Sequence, residues 1–180
     1  MSHHVYNTRG FIVAARPRGE ADKLFSILTP DLGLVRAVAR GVRRERSRLR
    51  GFLIEQALVS VSLVRGKSSW RITTVGLERD VTRDLGGEER EVLARVASLI
   101  DKLIHGEEHV AELFNDLIEG LELLPKSTPE VWEIWMVARV LYRLGYLAEG
   151  DVPVSLAEVE GKERDFVGVI NRGIRSSGLL

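Results

Sequence analysis

From Arg9 to about Thr82 the apolar residues come in short runs broken by turn signals, the pattern of strands rather than helices. RGFIVAAR (9–16) is rich in β-formers, and KLFSILT (23–29) follows it. Pro30-Asp31-Leu32-Gly33 then reads as a turn, because proline presets φ and glycine tolerates positive φ. LVRAVAR (34–40) sets Arg36 and Arg40 at even spacing, which puts both on one face of a strand. ALVSVSLV (57–64) alternates Ala57, Val59, Val61 and Leu63 with Ser60 and Ser62, and a glycine-containing turn leads from it into WRITTV (70–75). Five closely spaced strands, antiparallel by the length of their connections, predict a small closed barrel. An OB-fold is the natural candidate, with an SH3-like barrel as the alternative that propensity does not separate from it.

Past Gly86-Gly87 the period changes to that of helices. Val92, Val96, Leu99, Ile100 and Leu103 form one apolar stripe, and Val110, Leu113, Phe114, Leu117, Ile118 and Leu121 form a second. Thr128-Pro129-Glu130 opens a third helix, with threonine as N-cap and proline at the first helical position. Its run VWEIWMVARVLYRLG is apolar on nearly every side, so it belongs at the centre of a helical module. Ser155 and Glu158 have capping-box spacing, and Val159, Phe166, Val167 and Ile170 continue a fourth helix weakened by Gly161 and Gly168. The reading is therefore α+β: a five-stranded OB-fold domain over 1–84 and a four-helix all-α domain over 85–180.

Composition narrows the function classes. With 44% apolar residues the 180-residue chain supports a packed core and is not disordered. No apolar run approaches the roughly 18 residues of a membrane span, and the N-terminus lacks a secretory pattern, so a cytoplasmic protein with no membrane partner is expected. The absence of cysteine removes disulfides, thiolate metal sites and cysteine nucleophiles together.

Charge separates the two halves. Residues 1–76 hold 14 Lys+Arg against 5 Asp+Glu, and residues 77–180 hold 12 against 21, so +9 and −9 cancel. Within the basic half, Arg40 to Gly51 packs six arginines into twelve residues against the single Glu45. Like charges that close repel one another unless solvent or an anion neutralises them. The segment is therefore either a solvated loop or a binding surface. Arg36, Arg40, Arg43, Arg44, Arg46, Arg48, Arg50, Lys67 and Arg71 join one electropositive face if the barrel closes, and such barrels track phosphates with basic groups and stack bases on aromatic rings. Tyr6, Phe11, Phe25, Phe52 and Trp70 are also needed to fill the core, so phosphate contacts are expected to dominate and sequence preference to be weak.

Other constellations carry less. His105-Gly-Glu-Glu-His109 has the H-x-x-E-H spelling of a zinc peptidase, but that motif needs a continuous helix and further ligands, whereas this stretch reads as a junction between helices. Gly66-Lys67-Ser68 lacks the upstream glycine of a phosphate loop and sits in a hairpin turn. No serine has a nucleophile-elbow context. The residues offer no foothold for an enzyme, a metal, a cofactor or a small-molecule substrate.

Several of these residues together resemble the N-terminal region of the RecO family of bacterial recombination mediators. The shared features are the apolar strand Phe11–Ala15, the turn Gly19-Glu20-Ala21-Asp22, Thr29, the turn Gly33, and the series Ala39, Gly41, Arg43, Ser47 and Arg48. Leu141–Tyr146 (LYRLGY) resembles the helix end that precedes the family's zinc segment. The resemblance implies an OB-fold joined to a helical domain, binding of single- and double-stranded DNA, strand annealing and recombinase loading. It implies as partners a RecR-like mediator and the C-terminal tail of single-strand-binding protein. The family's cysteine cluster is missing after the LGY run, which implies a shortened, metal-free member. An adaptor that docks an acidic protein, or an RNA-binding barrel, are the competing readings.

Overall fold

The computed structural model describes residues 4–66, 69–105 and 111–176. Lys67 and the Gly106–Val110 stretch, with His109, lie outside them. The chain forms two compact units, one of residues 1–84 with 97–111 and one of residues 85–96 with 112–180.

In the first unit, strands β1 (Val5–Arg18), β2 (Asp22–Thr29), β3 (Gly33–Ala39), β4 (Ala57–Arg65) and β5 (Trp70–Asp80) close into a ring in the order β1-β2-β3-β5-β4. This is the OB-like connectivity. One expectation is corrected: the strands are not all antiparallel. β3 meets β5 in parallel, Ala37 opposite Trp70 and Val38 opposite Arg71. Closure requires it, because β4 pairs with both β1 and β5, leaving β3 to seal against β5 alone. The period-2 pattern sends Val35, Ala37, Ala39, Val59, Val61, Leu63, Trp70 and Ile72 inward, where they pack with Ile12, Phe25 and Ile27.

Helix α1 (Gly87–Leu103) gives its second half to this unit. Arg36, on the outer side of β3, donates to the carbonyls of Asp101 (3.1 Å) and Ile104 (3.4 Å), groups that a helix C-terminus leaves without intrahelical partners. The buried Asp101 carboxylate accepts from Arg16 at 2.6 Å.

The second unit holds the start of α1 with α2 (Ala111–Leu123), α3 (Pro129–Arg143), the one-turn α4 (Leu156–Val159) and α5 (Glu163–Ser176). Thr128 caps α3 by accepting from Val131 N–H, and Val131, Trp132, Ile134, Trp135, Met136, Ala138, Val140 and Leu141 are buried. Trp132 Nε1 donates to the Gly120 carbonyl of α2 at 2.7 Å. The buried Asp116 accepts from Arg139 (3.0 Å) and from both Nε and Nη2 of Arg143 (2.6 and 3.1 Å). That hydrogen bonding holds the Arg143 guanidinium above its ordinary pKa. The LGY run ends α3: Gly145 takes φ +80°, and Tyr146 N–H reaches back to the Leu141 carbonyl at 2.8 Å.

The fourth helix differs from its sequence pattern. It breaks at Gly161, which adopts φ +76°, so α4 is a single turn and α5 starts afresh. Ser155 makes no side-chain cap. Glu158 instead accepts from Val154 N–H, one residue early for a capping box. The backbone amides of Glu163 itself and of Gly161 bind the Glu163 carboxylate and hold its pKa below the usual glutamate range.

Candidate nucleic-acid interface

Residues 40–56 connect β3 to β4 and carry the arginine stretch. They form a series of turns rather than a helix. Val42 and Leu53 are buried in the barrel core, and Leu49 and Ile54 pack partly against it. These four apolar residues pin the segment at intervals. Arg40, Arg43, Arg44, Arg46, Arg48 and Arg50, which fall between or beside the pins, are exposed. Gln56 closes the segment in the left-handed region at φ 61°, its amide donating to the Ile12 carbonyl at 2.8 Å.

The resemblance residues turn out to be mainly turn-makers. Asp22 Oδ1 accepts from Gly41 N–H at 2.8 Å. Arg43 donates through its backbone to the Ala21 carbonyl and through Nη1 to the Gly19 carbonyl, both at 3.0 Å. Gly19 and Gly41 both have φ +64°, which glycine reaches without the Cβ penalty. The β1–β2 turn and the start of the arginine segment are thus clasped together. Thr29 does the same for the next turn, donating to the Gly33 carbonyl and accepting from Leu32 N–H.

A groove of about 350 Å³ opens where β3 and β5 begin to pair, lined by Arg18, Asp22, Val38, Arg40, Val64, Arg65, Gly66, Ser69, Trp70 and Arg71. Among the described residues four arginines and one carboxylate line it. A second hollow of about 360 Å³ has Lys23, Arg43 and Arg50 around an apolar floor of Phe25, Val42 and Leu53. The low-dielectric floor strengthens the field of the cations at its rim.

The nine expected basic residues divide accordingly. Arg40 and Arg71 share the groove, and Arg43 and Arg50 border the second hollow. Arg44, Arg46 and Arg48 stand exposed on the intervening turns. Among the described residues Arg40, Arg44, Arg46, Arg48 and Arg50 form no ion pair and no side-chain hydrogen bond. Arg36 is instead engaged with α1, and Arg43 is half committed to the clasp. Arg18 and Arg65 are groove residues that the sequence reading missed. Both end a strand, β1 and β4, and the pairing of Arg65 with Trp70 is the signal that places it there.

The aromatic expectation is also revised. Phe11, Phe25 and Trp70 are buried, and Tyr6 meets the Trp70 ring edge-on at 5.1 Å. Arg65 lies 5.5 Å from the Trp70 centroid. Phe52 does not fill the core; it is 44% exposed. Among the described residues no group of three or more His, Asp or Glu side chains is arranged to hold a metal, and no helix is long and apolar enough to cross a membrane.

Comparison with known proteins agrees with this architecture. The family model "Recombination protein O N terminal" matches residues 1–78. A DNA repair protein RecO of Trichodesmium erythraeum is 32% identical over 161 residues, covering 83% of this chain and 54% of that protein. That of Gloeothece citriformis is 35% identical over 133 residues, covering 69% and 45%. That of Dehalococcoides mccartyi is 44% identical over 70 residues, covering 39% and 28%. The chain spans about half the length or less of these curated relatives. The Trichodesmium and Gloeothece matches are longer than the five-stranded part of the chain and so extend beyond it. The chain belongs to the RecO family.

Proposed function

We propose that this chain is a non-enzymatic DNA-binding mediator of recombinational repair. It binds single- and double-stranded DNA through the arginine face of the closed sheet, anneals strands, and assists loading of recombinase onto DNA coated by single-strand-binding protein. The observation that supports this most is the pinned 40–56 segment: its backbone is fixed by four apolar anchors while, among the described residues, five of its arginines have no ion-pair partner. Gathering those charges costs self-energy in the free protein, and binding offsets that cost, because the arginines neutralise phosphates and release the counterions condensed on the nucleic acid. Contacts of this kind position a strand without reading its sequence. The helical unit is the candidate site for a RecR-like mediator and the tail of single-strand-binding protein.

Fluorescence anisotropy with a labelled single strand, competed by unlabelled single-stranded DNA, duplex DNA, RNA and an acidic polypeptide, tests this. Both DNA forms should displace the probe at concentrations far below the acidic polypeptide. Preferential displacement by the polypeptide would favour an adaptor, and preferential displacement by RNA an RNA-binding barrel.

A further inference from the structure

We infer that Phe52 is a stacking platform for one unpaired base, which makes the arginine face select single strands over duplex. The inference rests on the nucleic-acid reading above and adds to it a specific contact and a preference. Among the described residues Phe52 is the one phenylalanine, tyrosine or tryptophan in the exposed class, and it sits two residues beyond Arg50.

The local geometry holds it outward. Leu49 packs against the barrel core and Leu53 is buried in it. Both Phe52 N–H and Leu53 N–H donate to the Leu49 carbonyl at 3.2 Å, which closes one tight turn. With its two leucines turned in, the turn presents Arg50, Gly51 and Phe52 to solvent. Apart from its two chain neighbours, a Cβ at Gly51 would meet nothing within 4 Å, so the tip of the turn is open. An apolar ring left in water forfeits the stabilisation that burial would bring. A base stacked on it recovers that stabilisation, and the arginines alongside neutralise the adjoining phosphates. Duplex bases are already stacked on one another and do not reach such a platform without unpairing.

The test uses the full chain with a labelled oligo-dT strand, an abasic strand of equal length and a hairpin duplex at one salt concentration. Phe52→Ala and Phe52→Leu should each weaken oligo-dT binding by on the order of tenfold. Duplex and abasic-strand binding should be unchanged, and so should the salt dependence. Phe52→Trp should retain affinity and show indole quenching when oligo-dT is added. Phe52→Leu keeps an apolar side chain and removes the aromatic face, so its loss of affinity with an unchanged melting temperature separates stacking from folding. Equal binding of oligo-dT by wild type and both variants, with the arginine-dependent salt effect intact, would overturn this inference alone. Failure of the wild type to bind any of the three probes would overturn the nucleic-acid reading and this inference with it.

Discussion

Among the described residues Asp22 is the one acid lining the arginine groove, and it does two separable things. Its Oδ1 accepts from the Gly41 amide, which fixes the start of the arginine segment, and its charge opposes any anion that enters. Asp22→Ala leaves the partly buried Gly41 N–H without its partner and removes one of the hydrogen bonds that clasp the arginine segment to the β1–β2 turn. Such a loss costs about 1–2 kcal/mol, which lowers the melting temperature of a unit this size by roughly 5–15 °C. Asp22→Asn keeps an acceptor oxygen at Oδ1 and removes only the charge. A unit charge roughly 6 Å from a phosphate contributes about 0.7 kcal/mol in water, and screening at physiological salt halves it. Removing that repulsion should tighten single-strand binding about twofold. Urea denaturation and anisotropy on the two variants measure both effects. The reasoning fails if Asp22→Ala is as stable as wild type, or if Asp22→Asn binds DNA more weakly.

Other consequences concern packing. Asp116→Ala should destabilise the helical unit by about 3 kcal/mol in urea unfolding, because it removes the shared partner of Arg139 and Arg143 and leaves charge behind. Gly173→Ala places a methyl against Leu147 Cδ2 (2.5 Å) and the Tyr146 carbonyl (2.9 Å), so thermal unfolding should show a loss of about 1–3 kcal/mol. With no cysteine in the chain, elemental analysis of untagged protein should find substoichiometric zinc, and chelator should leave its melting temperature unchanged.

The strands were legible because one face of each is packed inward, so burial writes period 2 directly into Val59, Val61 and Leu63. The parallel β3–β5 seal was not, since ring closure rather than any local signal determines it. By sequence Gly161 is only a weak point within a helix. It is a stop, because its left-handed backbone cannot continue one. The basic patch was visible as composition, and the family resemblance singles out Arg43, yet charge and polarity alone do not distinguish Arg43 from Arg44. One reaches the Gly19 carbonyl and the other points to solvent, a difference set by a turn twenty residues upstream. Phe52 and Leu53 are equally apolar in sequence, and the turn begun at Leu49 decides which of them goes in.

The central claim is that the arginines of the pinned segment neutralise phosphates, and the salt dependence of single-strand binding tests it most directly. Five contacts drawn from Arg40, Arg44, Arg46, Arg48, Arg50 and Arg71, at about 0.7 per phosphate, give a slope of log K against log salt near −3.5. That is an affinity loss on the order of 100-fold between 50 and 200 mM salt. Replacing Arg44, Arg46 and Arg48 with alanine, and sparing the clasp residue Arg43, should reduce the slope to about −1.4 and weaken binding to every sequence alike. The melting temperature should not move. Identical affinity and identical slope for wild type and triple variant at every salt concentration would contradict the account.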